Sequence, residues 1–334
     1  MLRVLLYGLG PIGVMVGRQL ATRDGFRIVA AVDVDPAKVG RDVGEVAGLA
    51  RRLRVRVTPD VRAAIRQSKP HVAVLCTASS LQAVAPQIEG LLKARMPIVT
   101  TTEELSYPVR KNAPLAKKID VMAKKAKVAV LSTGVNPGFV MDVLPIMLSV
   151  VCERIDSVTV NRVQDASTRR VPFQQKVGAG LSPEQFRREV ARGTIRHVGL
   201  AESISMIAAA LGWRIDSVTD EVKPKIADAP VSSEFLAVDP GFASGIIQDG
   251  VGYRHGTPVV TLHMEAYIGA PESYDEIKLR GVPNLTLRIP GGVPGDVATA
   301  SIVVNSIAKV LSSRPGLQTM KDLPVPSYYG GRGL

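Results

Sequence analysis

The stretch Leu5-Leu6-Tyr7-Gly8-Leu9-Gly10-Pro11-Ile12-Gly13, close to the amino terminus, decides the fold. An apolar run typical of a buried strand, Leu2–Tyr7, leads into three glycines with G-x-G-x-x-G spacing, and a helical pattern follows. In this motif the first glycine makes a tight turn, the second lets the backbone approach a pyrophosphate, and the third lets helix and strand pack closely. The stretch therefore predicts a dinucleotide-binding loop, whose contact residues are Gly8, Gly10, Pro11, Ile12 and Gly13.

An acidic residue lies where such a loop requires one. Asp33 follows the second predicted strand, Arg27–Val32, and comes twenty residues after Gly13. A carboxylate there accepts hydrogen bonds from the adenosine ribose and repels a 2′-phosphate, so Asp33 favours NAD as the cofactor. Lys38 and Arg41 would attract the same phosphate, and NADP stays an alternative.

The first 130 residues alternate apolar strands with helical stretches. This alternation predicts an α/β fold, a doubly wound Rossmann domain whose parallel sheet carries helices on both faces. The predicted strands are Leu2–Tyr7, Arg27–Val32, Val55–Thr58, Val72–Cys76, Ile98–Thr101 and Val128–Leu131. The predicted helices are Ile12–Thr22, Val61–Gln67, Leu81–Ala94 and Pro114–Ala126.

After Gly134 the alternation stops, and the pattern predicts an α+β domain on a mostly antiparallel or mixed sheet. Its predicted strands are Ser157–Val163, Val259–Tyr267, Glu276–Arg280 and Leu285–Ile289, and its helices are Pro183–Arg192 and Glu202–Leu211. A last predicted helix, Asp296–Leu311, should return to the first domain, and the tail from Pro315 should lie on the surface. The expected domains are 1–135 with 296–334 for the cofactor, and 136–295 for the substrate.

Three loops should meet at one edge of the Rossmann sheet, because ligands of open α/β sheets lie at the carboxyl ends of the strands. Ala73–Ser80 and Val99–Glu104 carry small hydroxyl residues, which either border the nicotinamide or cap the following helices. Ser132–Phe139 is a hinge rich in turn residues. The residues predicted to contact the cofactor from these loops are Thr77, Ala78, Ser79, Thr101 and Asn136.

Glu103 and Glu104 are, apart from Asp33, the acidic residues expected at this edge. If a substrate nitrogen lies over the nicotinamide, a nearby carboxylate stabilises an iminium-like transition state and carries its protons. At least one of the two should instead complement the dipole of a helix terminus. Both are candidate catalytic residues, and Glu103 is favoured because it is closer to the strand end.

Composition excludes several classes of protein. The formal net charge of +12 predicts a solvated basic surface near a polyanionic cofactor rather than a nucleic-acid-binding module, since aromatic residues make up only 4%. The chain contains no apolar run of about 20 residues, so no membrane span is expected. Two distant cysteines in apolar stretches, Cys76 and Cys152, favour a cytoplasmic location.

Metal catalysis is not predicted. The four histidines have no metal-ligand spacing and the cysteines form no C-x-x-C motif. His197 precedes a helical stretch and is a candidate for the substrate pocket, although a lone histidine is more often a cap or a core residue. Arg162, Arg169 and Arg170 either bind a substrate carboxylate or form a solvated face.

Several longer segments resemble one family, the 2,4-diaminopentanoate dehydrogenases, and equally the related amine dehydrogenases, which are distant relatives of dihydrodipicolinate reductase. The segments are GLGPIG (8–13), AKVGRDVGEVAG (37–48), TTEELSYP (101–108), STGVNPGFVMD (132–142), RVQDASTRRVPFQQKVGAG (162–180) and GDVATASIVVNSI (295–307). The resemblance implies a dihydrodipicolinate-reductase-like second domain that also dimerises, in a homodimer. It implies an NAD(P)-dependent enzyme that interconverts an amine with a ketone plus ammonia.

The family's catalytic glutamate maps onto the pair Glu103 and Glu104, and the resemblance implies a substrate pocket with Phe139, Leu144 and Phe173. Some amine dehydrogenases carry a bulky aromatic residue where this chain has Leu144, which leaves 2,4-diaminopentanoate and simple alkyl amines both open as substrates. The alternatives are a reductase of another C=N or C=O group, as in a dihydrodipicolinate-type or amino-acid dehydrogenase, or a nucleotide-sensing protein without turnover. The His and Lys signature of the dihydrodipicolinate reductases is not found, which weighs against that activity.

Overall fold

The computed structural model describes residues 1–108 and 112–329. The chain forms two compact units, one comprising Met1–Phe139 with the chain from Pro294 onward, the other Val140–Val293. The first boundary was predicted after residue 135 and lies four residues later, and the second was predicted after residue 295 and lies two residues earlier. The last five residues of the predicted first domain lie outside the described residues, and the predicted roles of the two domains stay predictions.

The first unit contains, in its described residues, a parallel sheet of seven strands in the order β15-β6-β5-β4-β1-β2-β3, numbered along the chain. The strands are β1 Leu2–Tyr7, β2 Phe26–Val32, β3 Val57–Thr58, β4 Val72–Leu75, β5 Ile98–Thr100, β6 Ala129–Ser132 and β15 Gly316–Gln318. The helices are α1 Pro11–Thr22, α2 Val43–Val46, α3 Val61–Ser68, α4 Leu81–Lys93, α5 Ala113–Ala126 and α10 Gly295–Leu311. The predicted α/β class is confirmed.

The predicted elements of this unit are present, and most end within two residues of their predicted bounds. Central strands such as β4 are buried along their whole length, which is why they are continuous apolar runs in the sequence. The predicted strand Val55–Thr58 is shorter than expected. The main-chain N–H of Val55 donates to the Asp42 carboxylate at 3.1 Å instead of joining a sheet.

Two expectations concern the carboxyl-terminal part of the chain. Helix α10 packs on α1, where Gln19 Nε2 donates to Ser301 Oγ at 2.9 Å, as predicted for a helix that returns to the first domain. The surface tail was expected from Pro315, and this is wrong for its beginning. Gly316–Gln318 adds strand β15 beside β6, and the Leu317 N–H donates to Asp120 Oδ1 at 3.0 Å. Three residues are too few for alternation to show in the sequence.

The second unit contains, within the described chain, a mixed sheet of six strands in the order β14-β13-β7-β12-β11-β8 and a two-stranded ribbon of β9 and β10. Its strands are β7 Arg154–Asp165, β8 Ser217–Ile226, β9 Val231–Ser232, β10 Ala237–Val238, β11 Ala243–Arg254, β12 Thr257–Tyr267, β13 Tyr274–Val282 and β14 Leu285–Pro290. Its helices are α6 Val143–Leu148, α7 Val171–Lys176, α8 Pro183–Arg192 and α9 Leu200–Ala210. Only β7 and β12 pair in parallel within the six-stranded sheet.

Strand β11 was missed by the sequence analysis because glycines interrupt its apolar pattern. A Cβ atom on Gly250 would lie 3.1 Å from Leu200 Cβ, and one on Gly252 would lie 2.6 Å from Ile204 Cγ2. Both contacts are with α9, so the glycines let this helix lie close against the sheet. Strand β8 was also missed, since none of its residues is fully buried and charged residues interrupt its apolar pattern. Among the described residues, no helix is long and apolar enough to cross a membrane.

Candidate active site

The glycine-rich loop connects β1 to α1, and its three glycines serve different purposes. Gly8 has φ of +93°, and a Cβ atom there would lie 2.6 Å from the Cys76 carbonyl oxygen. A Cβ atom on Gly13 would lie 1.9 Å from the Gly8 carbonyl oxygen, so both glycines are required by the protein's own packing. A Cβ atom on Gly10 would meet nothing within 4 Å. The open space at Gly10, at the amino end of α1, is where an anionic group fits.

The predicted ribose-binding carboxylate, Asp33, closes this loop from the end of β2. Its Oδ2 atom accepts from the Leu9 N–H at 2.7 Å, and its Oδ1 atom accepts from the Asp35 N–H at 2.9 Å. Lys38 Nζ lies 3.6 Å from Asp33 and 3.0 Å from Asp35, and the bond to Asp35 raises the pKa of the lysine. Arg41 is turned to Glu45, at 2.9 Å. The end of β2 therefore carries two carboxylates and one ammonium group.

The loops after β4, β5 and β6 are tied together by hydroxyl groups. Thr102 Oγ1 donates to the Ala78 carbonyl at 3.1 Å, and Ser132 Oγ donates to the Thr102 carbonyl at 2.5 Å. Thr77 Oγ1 donates to Gln87 at 2.6 Å, which gives this hydroxyl a structural partner. The structure thus brings Thr77, Ala78, Ser79 and Thr101 to one edge of the sheet, as the strand order requires. In the same loops, burial raises the pKa of the Cys76 thiol to about 12, which keeps it protonated.

Glu103 and Glu104 begin a single 3₁₀ turn, Glu103–Leu105, directly after β5 and Thr102. Glu104 Oε2 accepts from the Leu81 N–H at 2.9 Å, at the start of α4. The cap residue Ser80 makes no side-chain bond to that helix, so Glu104 supplies the missing cap. One of the two glutamates was expected to serve a helix terminus, and the structure gives this role to Glu104. Glu103 is half-buried at the same edge.

The hinge Ser132–Phe139 is almost entirely buried. Its turn is held by the Val135 N–H, which donates to Thr299 Oγ1 at 3.2 Å. Gly138 has φ of +127°, and a Cβ atom there would lie 2.5 Å from the Gly134 nitrogen, so only glycine fits. The side chain of Asn136, predicted to contact the cofactor, is buried in this turn, and Phe139 is half-buried at its end.

The other predicted pocket residues belong to the second unit. Leu144 is half-buried in α6, and His197 lies in the loop that leads into α9. Phe173 is in α7, with the guanidinium carbon of Arg169 4.3 Å from its ring centroid. The role of these residues in substrate binding stays a prediction.

Arg162 neither lies on a solvated face nor is available to a substrate carboxylate. Its side chain is 5% exposed, and its Nη1 atom lies 2.6 Å from Oδ1 of the fully buried Asp275. The Val293 main chain completes the arrangement, because its carbonyl accepts from Arg162 at 2.8 Å and its N–H donates to Asp275 at 2.7 Å. Burial lowers the pKa of the Arg162 guanidinium, and the neighbouring Asp275 carboxylate acts in the opposite direction. The guanidinium therefore stays charged.

Sequence reasoning missed two further buried polar residues of this unit. Asp142 accepts from the Val143 N–H at 2.6 Å and from Ser203 Oγ at 2.8 Å, which joins the start of α6 to α9. The position of Asp142 directly before a helix is a recognisable capping signal. Gln248 on β11 gave no signal, since its strand was not predicted. Within the described part of the chain, no three His, Cys, Asp or Glu side chains are grouped as metal ligands would be.

Comparisons with known proteins place this chain and its fold in a family. The model of the 2,4-diaminopentanoate dehydrogenase C-terminal domain matches residues 139–332. A 2,4-diaminopentanoate dehydrogenase from Acetoanaerobium sticklandii is 32% identical, over 97% of this chain and 94% of its own length. The structure of an amine dehydrogenase from Mycobacterium smegmatis matches with a TM-score of 0.87 and 26% identity, over 98% of both chains.

A dihydrodipicolinate reductase from a Paenisporosarcina species shares the fold alone, with a TM-score of 0.54 and 16% identity over 96% of this chain and 98% of that one. The predicted two-domain class and the predicted resemblance are both confirmed. The identity over nearly the whole length, together with the match of the C-terminal domain, shows that this chain belongs to the 2,4-diaminopentanoate dehydrogenase family.

Proposed function

We propose that this protein is an NAD(P)-dependent amine dehydrogenase, which interconverts an amine with a ketone plus ammonia by hydride transfer. One observation supports this most strongly. Two adjacent glutamates lie at the carboxyl edge of a Rossmann sheet, and Glu104 accepts a hydrogen bond from the Leu81 N–H at the N-terminus of α4. In this proposal Glu103, half-buried at the same edge, is the carboxylate for proton transfer.

The dinucleotide would bind over the glycine-rich loop, with its pyrophosphate in the open space at Gly10 and at the amino end of the 12-residue helix α1. Asp33 would face the adenosine ribose. Two carboxylates, Asp33 and Asp35, lie within 3.6 Å of a single ammonium group there, so the site repels a 2′-phosphate and prefers NAD over NADP. Thr77, Ala78, Ser79, Thr101 and Asn136 would border the nicotinamide end of the cofactor.

When bound, the nicotinamide would supply hydride-accepting or hydride-donating chemistry at the carbon that bears nitrogen. In the direction of amine oxidation, the Glu103 carboxylate would take a proton from the ammonium form of the substrate and pass it to solvent. The carboxylate, negative again, would stabilise the iminium that forms as the hydride leaves. It would then accept a proton from the water that attacks the iminium carbon and donate that proton to the nitrogen, so that the C–N bond breaks to give the ketone and ammonium. Phe139, Leu144, Phe173 and His197 would enclose the substrate.

The substrate in this proposal is 2,4-diaminopentanoate or a simple alkyl amine, and the working form is a cytoplasmic homodimer that binds neither nucleic acid nor membrane. Both cysteines, Cys76 and Cys152, are free thiols, as expected for a reducing compartment. Sedimentation of the purified protein at several concentrations tests the dimer directly. A monomer at all concentrations would contradict this part of the proposal.

The activity is tested with the purified protein, NAD or NADP, and either 2,4-diaminopentanoate or a short alkyl amine. We expect amine-dependent formation of reduced cofactor, and ammonia-dependent oxidation of it when the ketone is supplied. Reduction of a ketone or imine without ammonia would favour a reductase of the dihydrodipicolinate type. Tight cofactor binding without turnover on any of these substrates would favour a nucleotide-sensing protein.

A further inference from the structure

Gln248 lies on β11 in the interior of the second unit, and its side chain is fully buried. Its Oε1 atom accepts from the His197 N–H at 2.7 Å, and its Nε2 atom donates to the His197 carbonyl at 3.0 Å. The side-chain amide thereby pairs with both main-chain groups of one residue, as a neighbouring β-strand would. His197 is held to the sheet although it belongs to a loop.

The second N–H of Gln248 donates to Asp220 Oδ1 on β8, at 2.7 Å. Because this carboxylate accepts one amide hydrogen, the amide group cannot exchange its oxygen and nitrogen positions. Asp220 also forms an ion pair with Arg196, the residue before His197. Residues on two strands therefore hold two consecutive loop residues. The chain then turns at Gly199, which has φ of +117°, and enters α9.

This arrangement satisfies two main-chain groups and also fixes their direction. An apolar side chain at position 248 would leave the His197 N–H and carbonyl without this partner. What the amide adds is a defined orientation of the His197 main chain. The Nε2 atom of the His197 imidazole is itself buried, so the fixed main chain leaves the ring few rotamers.

We infer that Gln248 is a positioning residue, which orients the His197 imidazole toward the bound substrate. The inference rests on the proposed function, in which His197 belongs to the substrate pocket. Gln248 acts only through His197, so its effect must disappear when the imidazole is absent. A glutamine that merely stabilised the sheet would not show this dependence.

The test compares Gln248→Met, His197→Ala and the double variant in the full-length protein. We expect Gln248→Met to lower kcat/KM for the amine roughly tenfold to hundredfold, mainly through KM, because misplacement of a site group by about 1 Å has effects of this size. The affinity for NADH should stay within about twofold. The double variant should match His197→Ala alone, since the two residues act as one unit.

Ser244→Ala is the matched control, because Ser244 is a buried residue of the same strand whose hydroxyl donates to the Lys225 carbonyl at 3.1 Å. It should lower the melting temperature without changing KM. Equal KM values for Gln248→Met and wild type, or fully additive losses in the double variant, would overturn the inference.

A second readout does not depend on turnover. The chain has four histidines, so the ring signals of ¹⁵N-histidine-labelled protein are few, and His197→Ala assigns the relevant one. In Gln248→Met we expect the His197 signal to shift or broaden while the other three stay in place. An unchanged His197 signal would overturn the inference. Absence of amine turnover in the wild-type protein would instead overturn the proposed function, with this signal still deciding whether Gln248 orients the ring.

Discussion

The carboxyl edge of the first unit and the interior of the second unit use charged groups in opposite ways. At the edge, Asp33 and Glu104 accept hydrogen bonds from main-chain N–H groups, and Gly10 faces empty space. In the second unit, Arg162 and Asp275 are buried against each other and against the Val293 main chain. In the first arrangement main-chain N–H groups hold carboxylates at the edge of the sheet. In the second, the two charged side chains pair with each other.

This difference indicates that the sheet edge is suited to proton transfer and that the buried ion pair affects the stability of the second unit. Half-buried carboxylates at a sheet edge can exchange protons with a ligand, and bonds from main-chain N–H groups hold them in place. A fully buried ion pair gains little net stability, but the loss of one partner leaves an uncompensated charge in the interior. Variants of the sheet-edge carboxylates should therefore affect activity, and variants of the Arg162–Asp275 pair should affect folding.

The largest expected effect is that of Glu103→Gln, which keeps the shape of the side chain but removes its ability to carry a proton. Turnover should fall by roughly 10²–10⁴, with cofactor affinity unchanged. Glu104→Gln is the matched control, because the amide oxygen can still accept from the Leu81 N–H. It should retain turnover close to wild type and lose well under about 1 kcal/mol of stability. Steady-state kinetics and NADH titration of both variants check this, and two fully active variants would refute the mechanism.

The next effect concerns the buried ion pair of the second unit. Asp275→Asn should lower the free energy of unfolding by about 3–5 kcal/mol, because Arg162 is left buried without its counter-ion. Replacing both residues together, with Arg162→Met and Asp275→Leu, should cost much less than the single change. Chemical denaturation of the three proteins measures this. If Asp275→Asn were as stable as wild type, the ion pair would not contribute to the stability of this unit.

Substitutions of Gly10 and Gly13 distinguish a glycine needed for cofactor binding from a glycine needed for folding. Gly10→Val should weaken NAD binding more than about tenfold, or about 1.4 kcal/mol, because the side chain enters the space meant for the pyrophosphate. The fold should persist, since nothing lies within 4 Å of a Cβ atom there. Gly13→Ala should instead fail to fold stably, since its Cβ atom would collide with Gly8. Calorimetric titration and thermal melting distinguish the two, and unchanged NAD affinity in Gly10→Val would reassign the cofactor site.

The smallest effect is expected at Asp33. Asp33→Ser removes a charge that repels a 2′-phosphate and frees Lys38, now 3.6 Å away, to attract one. The ratio of NADP to NAD efficiency should rise by about tenfold, which corresponds to 1.4 kcal/mol. Measuring kcat/KM with both cofactors checks this. A constant ratio would mean that Asp33 does not face the ribose.

The fold and the edge of the first unit could be predicted because their determinants are close in sequence. The bonds that shape the edge join residues 24 and 23 positions apart, Leu9 to Asp33 and Leu81 to Glu104. A strand–helix–strand repeat places such residues together by a general rule. Even so, the sequence could not assign the capping role to Glu104 rather than Glu103, because this depends on where the 3₁₀ turn directs each side chain.

The second unit could not be predicted to the same depth. Its polar contacts join residues that are distant in sequence. Arg162 and Asp275 are 113 positions apart, and His197 and Gln248 are 51 positions apart. No local pattern links such residues, and β11 itself was hidden by the glycines that accommodate α9. Only the resemblance to a family supplied Leu144 and Phe173 as pocket candidates.

The central claim is that Glu103 faces the chemistry and Glu104 holds the helix. The most direct test is a crystal structure of the protein with NADH and an unreactive amine or ketone. We predict the nicotinamide at the carboxyl ends of β5 and β6, with a Glu103 oxygen about 3 Å from the substrate nitrogen and Glu104 still bonded to the Leu81 N–H. A structure in which Glu104 reaches the substrate and Glu103 does not, or in which NADH binds elsewhere, would contradict the account.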